Sequence, residues 1–227
     1  FSHILGGLDH LLFLLCLVVP FRRFRPLLVV VTAFTLAHSV TLIASAYDVA
    51  PDALWFPPLV ETLIAASIFY MAIENIIGAH IERRWVMTFA FGLVHGFGFS
   101  FLLRERLQFA GSHLLSSLLA FNVGVELGQL VVLLVLIPAL GFLFTRVVRE
   151  RMGVILLSAV VAHTAWHWMT ERWAALSQFP FPALDAAALA SLMRWTMAAI
   201  VVGLLLWWMS GVVRRWEGLA AETPDAD

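Results

Sequence analysis

Long apolar runs separated by short arginine-bearing segments dominate this sequence. A run of roughly 20 mostly apolar residues is long enough to cross a bilayer as a helix. The runs are continuous rather than alternating, which favours spanning helices over a β-barrel. We therefore predict an all-α fold, a polytopic membrane helical bundle with seven transmembrane helices. The predicted spans are roughly 4–20, 27–47, 57–78, 85–103, 113–138, 152–170 and 189–212.

The arginines predict the orientation of this bundle, because positively charged loops stay on the cytoplasmic side. All fourteen cationic residues are arginine, and ten of them follow odd-numbered spans. We therefore expect the N-terminus outside and the C-terminus in the cytoplasm, in a bacterial inner membrane crossed several times. We also expect a single transmembrane domain over residues 1–216 and a disordered cytoplasmic tail over 217–227.

Charge and cysteine content narrow the classes of partner. A formal net charge of −1 argues against nucleic acid. The single cysteine, Cys16, excludes an internal disulfide and a CxxC metal site. The bilayer and a metal ion are the partners that the sequence predicts, and a homo-oligomer is compatible with it. The chain begins at Phe1 without methionine, so we expect a trimmed or processed chain, which is compatible with a missing N-terminal region.

Most of the histidines lie where a polar side chain is costly. A histidine within a membrane span needs a partner, a water-filled cavity or a metal. In the predicted topology the six histidines in or beside spans all fall in the outer half of the bilayer. They are His3, His10, His38, His95, His163 and His167. The sequence therefore predicts a metal site in the periplasmic half of the bundle.

Two pairs of histidines have a spacing that places both rings on one helix face. His3 and His10 are seven residues apart, although Gly6 and Gly7 could bend the chain between them. His163 and His167 are four apart, a spacing typical of two imidazoles on one metal. His167 also fits an interfacial aromatic belt beside tryptophans. The pair is therefore either a set of metal ligands or part of that belt.

Several acidic residues are further candidate ligands. Asp9 is either a ligand or an ordinary helix cap, and Glu61 lies near the outer end of its span. Glu126 shares a helix face with Asn122 and Gln129. It pairs with a histidine, a metal or a proton, or belongs to a structural polar seam. Glu74, near the inner end of its span, either forms a hydrogen bond or arginine pair there or takes part in a gate.

Five sequence blocks in order, HILGGLDH, FTLAHS, VETLIAASI, FGLVHGFGF and FNVGVELGQL, give the chain a resemblance to a known family. Over about residues 1–140 it resembles the HupE/UreJ hydrogenase/urease accessory membrane proteins, viewed as nickel or cobalt permeases. The resemblance implies that His3, Asp9 and His10 form a metal-recognition motif and that His95 and Glu61 join the ion pathway. The chain departs from the family pattern at Ile4, where the permeases usually carry proline. Its GLVHGFGF block also lacks a second histidine.

Transport is the function that we favour, on the strength of this resemblance. Imidazole and carboxylate ligands suit nickel, cobalt, zinc and copper(II) without choosing among them. The ion would be captured in an outward cavity, passed deeper and released near Glu74 and Asn75. The predicted ligands are His3, Asp9, His10, His38, His95, Glu61, Glu126, His163 and His167.

Two alternatives remain. The first is an intramembrane metal-dependent zinc hydrolase that acts on a lipid or a membrane-anchored substrate. Glu126 or Asp9 would serve as its general base, and Ser39 or Asn122 would stabilise a developing oxyanion. The second is a metal-binding membrane subunit of a larger complex. Ligands confined to one leaflet favour the enzyme, because a transporter needs polar groups along a continuous path.

Overall fold

The computed structural model describes residues 1–47, 50–107 and 114–179, with the side chains of 100–107 and 115 excepted. Over these residues the chain forms helices and no strand, which confirms the all-α prediction. The helices are α1 (Ser2–Gly6), α2 (Leu8–Val18), α3 (Phe24–Ala46), α4 (Phe56–Ile77), α5 (Ile81–Leu107), α6 (Leu114–Arg146) and α7 (Glu150–Leu176).

The first predicted span is two helices rather than one. Gly7 has extended backbone angles, φ −93° and ψ 106°, and separates α1 from α2. A Cβ atom at Gly7 would lie 2.9 Å from both Asp9 Oδ1 and His10 Nδ1. The break therefore depends on a residue without a side chain, and across it the His3 ring of α1 lies beside the His10 ring of α2.

Four helical segments are long and apolar enough to cross a membrane: α3, α4, Ser116–Arg146 within α6, and α7. Large apolar side chains such as Val29, Leu36, Leu134 and Val135 are exposed on them, as expected for contact with lipid. The helical membrane bundle is thus supported, whereas the seven-span count and the orientation stay predictions. The seventh predicted span, 189–212, and the tail, 217–227, lie outside the described residues. Residues Phe1–Phe179 form a compact unit, and the division at residue 216 also stays a prediction.

The closest helix pairing that shapes the site is between α3 and α5. Gly92 of α5 faces the Phe34 carbonyl and the Ala37 Cβ of α3, and Gly96 faces the His38 carbonyl and Thr41 Oγ1. Two small residues four apart let helix backbones approach closely in a membrane. This contact brings the α3 turn that carries His38 against the α5 turn that carries His95.

Candidate metal centre

Three histidines from three helices form the centre of the site. His3 of α1, His10 of α2 and His38 of α3 each offer one ring nitrogen, and these nitrogens lie within 4.8 Å of one another. The ring centroid of His3 is 4.6 Å from that of His10 and 6.4 Å from that of His38. His10 and His38 are buried, and His3 is partly buried. We call these three residues the histidine cluster.

A fourth imidazole, His95 of α5, lies beside the histidine cluster. Its ring centroid is 5.5 Å from that of His10, and the side chain is almost completely buried. His95 Nδ1 is 2.8 Å from the carbonyl oxygen of Phe91. Because a carbonyl only accepts hydrogen bonds, Nδ1 carries the proton and Nε2 keeps its lone pair. His95 can therefore supply a ligand atom next to the three nitrogens of the cluster.

The carboxylate of Asp9 is directed at His10. Asp9 Oδ1 accepts hydrogen bonds from the backbone N–H of His10 at 2.9 Å and from its Nδ1 at 3.1 Å. A carboxylate on one ring nitrogen fixes the tautomer and orientation of a histidine whose other nitrogen binds a metal. The geometry thus gives Asp9 a positioning contact, and its predicted role as a direct ligand stays a prediction.

Five ring nitrogens of these four histidines are buried and have no hydrogen-bond partner among the described residues. They are Nε2 of His3, His10 and His95, and both nitrogens of His38. A buried polar atom without a partner lowers the stability of the fold by about 1–3 kcal/mol. A bound metal ion would supply these nitrogens with a partner. A tetrahedral ion bound at about 2.1 Å holds nitrogens about 3.4 Å apart. The cluster needs only a small contraction to reach that spacing, so its residues fit a transition-metal ion.

Aromatic side chains wall the histidine cluster. The ring of Phe99 lies 4.1 Å from that of His3 and stacks on Phe121 at 4.5 Å. The rings of Phe34 and Phe121 lie roughly parallel to that of His38, with centroids 6.1 and 6.3 Å away. Such apolar surroundings strengthen electrostatic interactions inside the site.

A cavity of about 180 Å³ gives access to the site, and it is lined in part by His3, Asp9, His10, Glu61 and His95. The structure thus brings five of the predicted site residues to one cavity. Arg172 of α7 also lines it, with its Nε 3.8 Å from Glu61 Oε2. Arg172 was not among the predicted site residues and entered the sequence argument only through the orientation. The available signal was an arginine two residues after the end of the predicted span 152–170.

Glu126 lies in a polar seam between α3 and α6. Thr32 Oγ1 donates to Glu126 Oε1, and Thr35 Oγ1 donates to Gln129 Oε1, each at 2.8 Å. Glu126 Oε2 is buried and has no partner among the described residues, so one oxygen is still available to a proton or a cation. The structure places Glu126 outside the group of three ligand nitrogens, and a direct ligand role for it stays a prediction.

Two further polar residues of the enzyme hypothesis lie near the cluster. The Asn122 amide faces the His38 ring, but no hydrogen bond of normal geometry joins them, because the amide atoms of Asn122 have no partner among the described residues. Ser39 Oγ donates to the Thr35 carbonyl at 2.6 Å, a back-bond within its own helix. Asn122 is thus the better placed of the two to contact a bound group.

The remaining predicted pair, His163 and His167, lies elsewhere. Their ring centroids are 4.6 Å apart on α7, as the four-residue spacing predicts. Both side chains are exposed, and neither lines the cavity of about 180 Å³. The structure does not bring this pair to the histidine cluster, and its ligand role stays a prediction.

Comparison with known protein families gives a match over most of the chain. A family described as HupE / UreJ protein matches residues 1–172. The match covers every residue of the histidine cluster, His95 and the residues that line the access cavity. Neither a curated protein nor a solved structure matches the chain.

Proposed function

The chain belongs to the HupE/UreJ family, and from this premise we propose that it binds a divalent transition-metal ion of the nickel or cobalt type and carries it across the bacterial inner membrane. Membership indicates an accessory or transport role in the handling of metal at a membrane. Transport itself, the identity of the ion and the location are the parts that we add.

The observation that carries the proposal is the set of unpartnered imidazole nitrogens in the histidine cluster. Neutral imidazole is a preferred ligand for nickel, cobalt, zinc and copper. Three such nitrogens within 4.8 Å of one another, beside a cavity, suit capture of an ion from one side of the membrane. The metal is cargo in this account, so the site must bind it and also release it.

A path follows from the order of polar groups along the helices. In the predicted orientation an ion enters past Glu61 and Arg172 and reaches the histidine cluster. Asn122, which faces His38, and Glu126, one helical turn further along α6, are the next polar groups. Ligands spread along a path favour release better than one tight site does. These two groups support a relay from the histidine cluster toward the release site that the sequence predicts at the inner end of α4.

Metal accumulation in cells tests the proposal. Cells that express the wild type should accumulate nickel or cobalt, and His38→Ala should reduce accumulation to the level of cells without the protein. His80→Ala is the matched control, because His80 is exposed and lies between helices; it should accumulate metal as the wild type does. Equal accumulation in the wild type and His38→Ala contradicts transport through this site.

The zinc hydrolase is the second candidate, and the number of imidazoles favours it. Three protein ligands leave a fourth position open for water in a catalytic zinc site. Its proposed bases are engaged, however: Asp9 with His10 and Glu126 with Thr32. An enzyme should retain about one zinc ion per chain through purification without chelators. A protein that releases its metal on dialysis supports transport instead.

A further inference from the structure

Arg84 is an arginine buried inside the bundle. It lies in the first turn of α5, and its side chain is 0% exposed. From the sequence it is expected in a cytoplasmic loop, because it follows the third predicted span. A charge so fully removed from water is costly unless it is paired and hydrogen-bonded.

Three oxygen atoms from two helices surround the Arg84 guanidinium. Its Nη2 donates to Glu74 Oε2 at 2.9 Å and to the Asn75 side-chain oxygen, and its Nη1 donates to the Cys16 carbonyl at 3.0 Å. Asn75 Nδ2 also donates to the Cys16 carbonyl, at 2.9 Å. The guanidinium faces the ring of Phe21 at 5.1 Å. We call Glu74, Asn75 and the Cys16 carbonyl the oxygen cluster.

The oxygen cluster stands between the metal centre and a second cavity. His10 and Cys16 lie on α2, six residues and therefore about 9 Å of helix rise apart. Asn75 lines a cavity of about 520 Å³, to which Pro20, just beyond the end of α2, and Gly78 also contribute. Along α2 the order is thus histidine cluster, oxygen cluster, second cavity.

The two ends of α4 each carry a glutamate that faces an arginine, but the two pairs differ. Glu61 is 57% exposed and lies 3.8 Å from Arg172. Glu74 is 16% exposed and lies 2.9 Å from the fully buried Arg84. The pair at the histidine end is loose and open to solvent, whereas the pair at the other end is tight and sealed.

If the protein transports metal as proposed above, we infer that the oxygen cluster is the exit site for the divalent cation and that Arg84, a tethered cation, occupies and closes it. Carboxylate, amide and backbone carbonyl oxygens are ligands for divalent metal ions. An arriving ion competes with the guanidinium for the Glu74 carboxylate, and displacement of Arg84 opens the way to the second cavity. Arg84 Nε is buried and has no partner among the described residues. The guanidinium thus uses only some of its hydrogen-bond donors, which favours its displacement.

Flux into liposomes tests this inference. The full chain is reconstituted with a metal-sensitive dye inside, and nickel or cobalt chloride is added outside. Arg84→Gln removes the charge and should raise the rate of metal entry at least about fivefold, because no tethered cation then competes with the metal ion for the exit site. Arg84→Lys keeps a cation there and should stay close to the wild-type rate. A folded Arg84→Gln variant with a rate equal to or below the wild type overturns the exit site.

A second variant covers the case in which Arg84→Gln does not fold. Phe21→Leu removes the ring that the Arg84 guanidinium faces but leaves all three oxygen atoms of the exit site in place. It should raise the rate about twofold or more, since the guanidinium is held less firmly. An unchanged or lower rate in folded Phe21→Leu overturns the inference.

The same liposomes separate failure of the gate from failure of the transport proposal. If His38→Ala does not reduce the rate of metal entry, transport through the histidine cluster is contradicted, and the exit site is contradicted as well. If the wild-type rate depends on His38 but does not respond to Arg84→Gln or Phe21→Leu, the exit site alone is overturned. Metal affinity of the histidine cluster should be the same in both exit-site variants as in the wild type.

Discussion

The Oδ1 atom of Asp9 lies 3.1 Å from Nδ1 of His10, the next residue in the chain. This contact leaves Nε2 of His10, which has no partner among the described residues, as the nitrogen available to a metal. A ligand and its orienting carboxylate are thus adjacent in sequence, and the turn at Gly7 sets both against His3.

Asp9→Asn should therefore weaken metal binding without abolishing it. Loss of an orienting carboxylate typically lowers metal affinity about 10–100-fold, while the number of ions bound per chain stays the same. Isothermal titration of the purified protein measures both quantities. Asp52→Asn, at an exposed position, is the control and should bind as the wild type does. A complete loss of binding in Asp9→Asn would instead make Asp9 a direct ligand.

His38 and His95 should differ in their importance. His38→Ala removes one of the three clustered ligand nitrogens and should lower affinity more than about 100-fold, beyond the effect of an orienting residue. His95→Ala removes a neighbouring ring that lies outside that group and should have the smaller effect. Competition with a chromophoric chelator measures both affinities. The reverse ranking would place His95 rather than His38 at the centre of the site.

The glycine contact between α3 and α5 predicts a matched pair of stability effects. Gly96→Ala places a Cβ against the His38 carbonyl and Thr41, and such overpacking costs about 1–3 kcal/mol. Gly141→Ala, in α6 with open space around it, should be neutral or stabilising by up to about 1 kcal/mol. Thermal unfolding in detergent compares the two variants. Equal effects would mean that the close approach at Gly96 does not contribute to stability.

The exposed pair His163 and His167 on α7 predicts a separate and weaker metal-binding event. The double variant His163→Ala/His167→Ala should keep the tight binding event, because neither ring lines the access cavity. If the pair is a ligand set, as its spacing suggests, only a second and weaker event should disappear. Titration with excess nickel or cobalt resolves the two events. Loss of the tight event would show that α7 contributes to the main site.

The helices and part of the site could be predicted from the sequence, because both depend on local patterns. Apolar runs predict helices wherever backbone groups must be satisfied internally, and a polar residue within such a run is recognisable at once. The candidates His3, His10 and His38 followed from that argument. The break at Gly7 also had a local signal in the glycine pair before Asp9.

The distribution of roles within the site could not be predicted, because it depends on how separate helices pack. Periodicity places Asn122 and Glu126 on one face, but it does not show that Thr32 binds the carboxylate or that Asn122 faces His38. The arginine pair that was one of two predictions for Glu74 is confirmed. The full burial of Arg84 within α5 could not be predicted, because an arginine just before a predicted span looks like a loop residue.

X-ray absorption at the metal edge of the nickel- or cobalt-loaded protein tests directly whether the histidine cluster binds the ion. We expect a spectrum with imidazole scattering from at least the three clustered histidines. This scattering should disappear in the variant with His3, His10 and His38 all changed to alanine. A wild-type spectrum without imidazole ligands, or one that the triple variant reproduces, would contradict the account.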